Sequence, residues 1–246
     1  MRLLPLVLVI ALVDLSGAAS SPLRLRIDRK PAAEVPLPPR RPIDLTPPQT
    51  LEIRPQAEVP APDLASCARA MASGRLVATL APAVLGADPC GIAAPIKLQA
   101  IVLADGAQVA MEPEALIRCD LAEAIGDWVR DDVAVLAKLA GGGLAKILGS
   151  NGYQCRGRNG APGAIVSEHG MGNALDISGF VLHDGRVLLI EHTNQELDFM
   201  TQIRDSGCAR FNTVLGPGSD GYHEAHMHVD LKARTHGYRI CQWDME

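Results

Sequence analysis

The sequence predicts a disulfide-bonded α+β domain over residues 63–246, and three observations carry that expectation. Apolar patterns of helical period and of strand period are interleaved. Turn signals join neighbouring strands into antiparallel pairs, and the strand–helix–strand rhythm of a parallel sheet is missing. Six cysteines, widely spread and without a CxxC pair, offer covalent staples. The stretch is also of a usual length for one core.

Taken in order, Asp63 caps a short helix running through Ala72 and carrying Cys67. Lys97 to Met111 reads as two strands around the turn Asp105-Gly106. Pro113 opens the longest helical pattern, with Leu116, Ile117, Leu121, Ile125 and Trp128 on one face, continuing to Leu139. Gly141-Gly142-Gly143 ends it. Leu144 to Leu148 is a strand that leads into Gly149-Ser150-Asn151-Gly152-Tyr153. Ala174 to Leu182 and Arg186 to Glu191 form a second hairpin around His183-Asp184-Gly185. Gln195 to Ser206 is a helix and Met227 to Leu231 a final strand.

Upstream of the domain the composition is different. Met1-Arg2 is basic, Leu3 to Val13 is an unbroken apolar run of eleven residues, and small residues follow at Ser16-Gly17-Ala18-Ala19-Ser20. That is the layout of a secretory signal over residues 1–20. The run is short of the roughly 20 apolar residues a membrane span needs, so no span is expected once the signal is removed. Residues 21–62 form a proline-rich linker, where eleven of the eighteen prolines lie between Pro22 and Pro62. Such a segment denies N–H groups to helix and sheet and is expected to be extended and disordered. At about 3.1 Å per residue it reaches on the order of 120 Å. The expected location is the periplasm.

From Asp63 onward the chain carries 15 Lys+Arg against 22 Asp+Glu. An acidic domain with few aromatics lacks the basic face that phosphate contacts need, so no nucleic-acid partner is expected. Cys67, Cys90, Cys119, Cys155, Cys208 and Cys241 agree with an oxidising compartment. They permit fifteen connectivities. Neighbours in order are the expectation adopted: Cys67–Cys90, Cys119–Cys155 and Cys208–Cys241.

Chemistry concentrates where four of the seven histidines form two groups. In the first, His169 and Asp176 flank Gly170 and Gly172, which let the chain fold tightly enough for a loop residue and a strand residue to converge. In the second, His223-Glu224-Ala225-His226-Met227-His228 enters a strand, where His226 and His228 share a face. Two imidazoles and a carboxylate are a common ligand set for Zn2+, with a fourth position left for water. His183 sits at a hairpin tip and reads as solvated, His192 and His236 show no partner pattern, and Trp128 reads as core.

These residues resemble a known family. Ser167-x-His169-x-x-Gly172-x-Ala174-x-Asp176 is similar to the SxHxxGxAxD signature of the zinc peptidase superfamily that includes D-Ala-D-Ala carboxypeptidases, murein endopeptidases and the hedgehog signalling domain. More closely, Asp63 to Cys241 resembles the bacterial extensin-like C-terminal domain family. The likeness runs through Gly149-Ser150-x-Gly152-Tyr153-x-Cys155-Arg156, the SEHxxGxAxDIxGF run and the closing HxHxD. It implies a hedgehog/DD-peptidase-like α+β zinc domain with a central antiparallel sheet and flanking helices. It also implies His169, Asp176 and His228 as zinc ligands, and His226 beside the metal as base or transition-state donor. His223 lies in an HxxHxH pattern like that of the murein endopeptidases. Arg156 resembles the arginine that faces a developing oxyanion, with Arg158 as its rival.

In the carboxypeptidase branch a Glu stands three residues before the last ligand. Ala225 occupies that position here, and Glu224, one position away, is the substitute candidate. The expected function is therefore an exported zinc metallopeptidase acting on peptidoglycan peptides, of DD- or LD-endopeptidase or carboxypeptidase type. The alternative is a non-catalytic zinc module that binds wall or partner. A third reading, a cysteine hydrolase built from Cys155, His169 and Asp176, needs Cys155 to be a free thiol.

Overall fold

A computed structural model describes residues 64–245 except Ser150 and Pro162, and the side chains of residues 64–67 and 193–195 are likewise left undescribed. The stretches expected to be a secretory signal and a proline-rich linker, and the expected Asp63 cap, lie outside the described residues.

The elements follow one another as α1 (Leu64–Ala72), β1 (Leu76–Leu80), β2 (Val84–Leu85), β3 (Gly91–Ile92), β4 (Pro95–Val102) and β5 (Gln108–Arg118). Next come α2 (Cys119–Trp128), a single wide π-helical turn over Val129–Val133, α3 (Ala134–Leu139) and β6 (Leu144–Leu148). The second half contains β7 (Ala174–Ile177), β8 (Gly179–Leu182), β9 (Val187–Leu189), α4 (Leu197–Arg210), β10 (Thr213–Leu215), β11 (Met227–Asp230) and β12 (Ile240–Gln242). The α+β class stands. A six-stranded sheet runs β1-β4-β5-β6-β8-β9, a four-stranded sheet runs β12-β10-β11-β7, and β2 pairs with β3.

The expectation of a central antiparallel sheet needs correction, because the two larger sheets are mixed. β5 pairs with β6 in parallel, and so does β10 with β12. The first parallel pair arises because α2 and α3 carry the chain back across the sheet, and parallel neighbours need such a crossover. One strand–helix–strand unit is thus present after all.

It was hidden by reading Pro113–Arg118 as helix. Ala115 and Ile117 are buried while Leu116 and Arg118 are half-buried, so this stretch follows a period of two. Its partners are Leu98↔Ala115, Lys97↔Leu116, Ile96↔Ile117 and Pro95↔Arg118. Exposed Glu112-Pro113-Glu114 interrupts the alternation, and the proline sits where the strand pairing shifts register. Leu116 and Ile117 fit a helical wheel with Leu121 and Ile125 only by coincidence of spacing. The true helix starts at Cys119 and buries Leu121, Ala122, Ile125 and Trp128. Trp128 is fully buried, meets Phe211 edge-on at 5.5 Å, and donates its Nε1–H to Ser206 Oγ. Gly142 and Gly143 end the helix by donating to the Ala137 carbonyl.

A second correction concerns Ala174 to Leu182, expected as one strand. The chain bends at Ser178, so β7 joins the four-stranded sheet and β8 the six-stranded one. Strands that switch sheets at a bend make the corners of packed sheets. Here the bend puts Asp176 in one sheet while the strand after it completes the other. The hairpins at Asp105-Gly106 and His183-Asp184-Gly185 are present as expected, each with an aspartate accepting from the backbone two residues on.

The disulfides correct two of the three expected pairs. Cys90 bonds Cys155 and Cys208 bonds Cys241, so Cys67–Cys90 and Cys119–Cys155 are excluded. Cys119 is disulfide-bonded as well. Neighbour order failed because Cys90, just before β3, meets the loop after β6 that carries Cys155, 65 residues further on. No described helix is long and apolar enough to cross a membrane.

Candidate metal centre

Two segments far apart in sequence build the site. Ser167 leads into a short 3-10 turn, Glu168–Met171, that carries His169 and is closed by Gly172 at φ +62°. A Cβ at Gly172 would lie 2.3 Å from Ile92 Cδ1, so the turn can close against β3 only around a glycine. β7 then begins, and its Asp176 stands opposite His228 in the antiparallel pairing with β11. Opposite residues of such a pair put their side chains on the same face. The register of β7 on β11 is therefore what brings carboxylate and imidazole together.

Three donor atoms converge. His169 Nε2 lies 3.1 Å from Asp176 Oδ1 and 3.1 Å from His228 Nδ1, and His228 Nδ1 lies 3.0 Å from Asp176 Oδ1. All three residues are buried. Donors around a tetrahedral zinc at about 2.0–2.1 Å stand roughly 3.3 Å apart, so this triangle is close to the face such an ion requires. The outward nitrogens are held too. His169 Nδ1 lies 2.7 Å from the Gly152 carbonyl, and His228 Nε2 lies 3.2 Å from Asp230 Oδ2. A carbonyl and a carboxylate can accept from these outer nitrogens, so the inner nitrogens are the ones whose lone pairs would serve an ion. The donor set fits zinc.

Electrostatics agree with a cation site. Burial alone would raise Asp176, but hydrogen bonds from His169 and His228 hold its carboxyl well below the usual carboxylate range. Burial alone would lower His228, but its hydrogen bonds to Asp176 and Asp230 outweigh that, and the imidazolium is pushed up to about 9. The metal-free site thus holds a proton where a metal ion would compete for the same lone pair.

The remaining expected residues are placed as follows. His226 Nε2 stands 3.7 Å from Asp176 Oδ1, and burial holds its pKa down against the pull of Asp176. Arg156 brings a guanidinium nitrogen to 3.8 Å from Asp176 Oδ2 and donates from Nε to Gln154 Oε1. His223 is buried, with Nδ1 2.7 Å from Asp220 Oδ1, and its ring lies 5.0 Å from that of His226 and 5.6 Å from that of His228. Glu224 points elsewhere: both its carboxylate oxygens lie 3.2 Å from the Gly218 N–H, which donates to them. Cys155 is locked to Cys90, which removes the thiol that a cysteine hydrolase needs. His183 is exposed at its hairpin tip, as read from the sequence, and His192 and His236 are exposed too.

Sequence reasoning assigned no role to Asp230, Asp220 or the Gly152 carbonyl. Asp230 was within reach, since it follows His228 by two residues on a strand and must share its face. Asp220, three residues before His223, lies in a loop without periodicity. The Gly152 carbonyl has no side-chain signal at all. Its position depends on Gly152 being glycine, because a Cβ there would lie 2.4 Å from the Leu116 carbonyl oxygen and 2.7 Å from Ile117 Cγ2. Gly152→Ala is expected to shift this loop off His169 and weaken metal affinity about 10–100-fold, the usual cost of losing an outer partner. Titration of the purified variant against a competing chelator reads that loss, and wild-type affinity would refute it.

The site opens into a cleft of about 250 Å³ lined in part by Arg156, Arg158, His223, His228 and Arg234. No curated protein and no solved structure matches the chain significantly. The family profile described as extensin-like protein C-terminus does match, over residues 65–242, a span that includes every element from β1 to β12 and both histidine groups. The chain belongs to that family.

Proposed function

We propose that the domain is an exported zinc metallopeptidase that hydrolyses stem peptides or cross-links of peptidoglycan. The convergence of His169, Asp176 and His228 within hydrogen-bonding distance of one another carries this reading. The likeness of the surrounding motif to the hedgehog/DD-peptidase zinc superfamily supports it. So do the apolar N-terminus and the proline-rich stretch, read as a periplasmic export signal and a spacer towards the wall.

Bound zinc would supply a Lewis acid that polarises a peptide carbonyl and acidifies water. His169 Nε2, His228 Nδ1 and Asp176 Oδ1 would hold it. His226, kept neutral by burial, accepts a proton at Nε2 and passes it to the leaving amine. Arg156 places a fixed positive charge where the carbonyl oxygen becomes negative. Asp220 holds the Nδ1 proton of His223, so that Nε2 of this ring is the one free to exchange a proton.

One observation favours the non-catalytic alternative, a zinc-stabilised module that binds wall peptide. Ala225 stands where the carboxypeptidase branch has Glu, and the Glu224 carboxylate is committed to Gly218. Incubating the zinc-loaded protein with purified sacculi separates the two readings. New muropeptide ends that vanish with His226→Ala are expected. Retention on sacculi with no new ends would replace the peptidase by the binding module.

A further inference from the structure

The chain is acidic, with a formal charge of −5. The cleft beside the metal centre is balanced instead, with three arginines and three carboxylates in its lining. Arg156, Arg158 and Arg234 all line it. Among the described residues no carboxylate lies within 4.0 Å of the Arg158 or Arg234 guanidinium, and Arg156 has only Asp176, at 3.8 Å. Arg234 is held in place by neutral acceptors, donating to the Asn212 carbonyl at 2.9 Å and to Thr213 Oγ1 at 2.7 Å. Its charge is fixed in position and left uncancelled.

The carboxylates that share the cleft are already engaged. Glu168 takes Lys232 Nζ at 2.5 Å and the Asn173 amide at 2.7 Å. Asp220 takes His223 and the Tyr222 N–H at 3.0 Å. Asp230 takes the Thr213 hydroxyl at 2.6 Å beside His228. What remains for a ligand is positive charge in forked guanidinium form, the geometry that matches a carboxylate.

We infer that the arginine-lined part of the cleft, with Arg158 and Arg234 at its heart, is a subsite for a carboxylate of the bound peptide. As a statement about substrate it rests on the peptidase reading, but the subsite itself needs no cleavage. The carboxylate has two possible sources, the free C-terminus or an internal acidic residue. The first makes the domain a reader of chain ends, and the second a reader of acidic peptide interiors.

Calorimetric titration of the zinc-loaded protein with three probes tests this. They are acetyl-D-alanyl-D-alanine, its C-terminal amide, and an acetylated γ-D-glutamyl-D-alanine amide that retains an internal carboxylate. Binding of at least one carboxylate probe about tenfold tighter than the plain amide is expected, as charge-assisted pairs give. The preference should weaken with salt, because Arg158 is exposed. A preference for the first probe assigns the terminal carboxylate and one for the third assigns the internal one.

Arg158→Gln should erase most of the preference. Its fold is not at risk, since Arg158 is tied in through its backbone, its N–H donating to the Ile165 carbonyl at 2.9 Å and its carbonyl accepting from the Ala161 N–H at 3.0 Å. Arg234→Lys, which keeps the charge but loses the fork, should reduce the preference in part. Equal binding of all three probes, an unchanged preference in both variants, or tighter binding of inorganic phosphate would overturn the subsite. Digestion of sacculi is scored separately. Cleavage without carboxylate preference sinks the subsite alone, and carboxylate preference without cleavage sinks the peptidase alone.

Discussion

Asp176→Asn and His228→Ala are each expected to abolish stoichiometric zinc in the purified protein, while the wild-type domain retains it through gel filtration. Removing an outer partner of a metal ligand costs about 10–100-fold in affinity, and removing the ligand itself must exceed that. His169, Asp176 and His228 are the described residues whose donor atoms meet as a group of this kind, so no described alternative set takes over. Stability should follow occupancy. Zinc at about 100 times its dissociation constant stabilises a folded domain by about 2.7 kcal/mol. For a domain of this size that raises Tm by roughly 5–10 °C. Metal analysis beside a thermal melt with and without zinc reads both effects. A wild-type melt indifferent to zinc, or a variant that still carries a full complement, would rule out the centre.

The pH dependence of the metal-free protein gives the second large effect. His228 is pushed up to about 9 from an ordinary value of 6.5. A group raised on folding contributes stability that is complete below its unfolded pKa and is lost as pH rises through the folded one. The chelated protein should therefore lose on the order of 3 kcal/mol between pH 6.5 and 9, in addition to any other titration. Asp176 acts at the opposite end. Its carboxyl is held below the ordinary 3.8, so its contribution is present above that value and lost only in stronger acid. Zinc must displace the His228 proton, so apparent zinc affinity should climb about tenfold per pH unit across the same window. Urea unfolding at pH 6 and pH 9.5, with zinc titrations at each, measures both slopes. Flat slopes in wild type, or slopes that persist in His228→Ala, would show that His228 carries no such proton.

Much of the site was legible because its signals are local. Two glycines between His169 and Asp176 announce a tight turn, and two histidines at strand spacing announce a shared face. Less was legible wherever the partner is remote. Glu224 was adjacent to the expected position of a catalytic carboxylate, yet the loop before β11 turns it to Gly218. Pro113–Arg118 fits helical spacing and strand spacing alike, and pairing with β4 decided in favour of strand. Cysteine pairing had the same weakness, since fifteen arrangements share one sequence and proximity along the chain favoured the wrong ones for Cys90 and Cys155.

Read alone, the residue order established which side chains could serve a metal: it named the two histidine groups and the carboxylate, and it placed each on a turn or a strand. Folding chose among them. The register that sets Asp176 opposite His228, and the bend at Ser178 that frees β7 to join β11, select Nδ1 of one ring and Nε2 of the other as the converging nitrogens. The reason is that side-chain type and periodicity are short-range properties of the chain. The meeting of atoms 52 residues apart depends on sheet pairing, which no local pattern encodes.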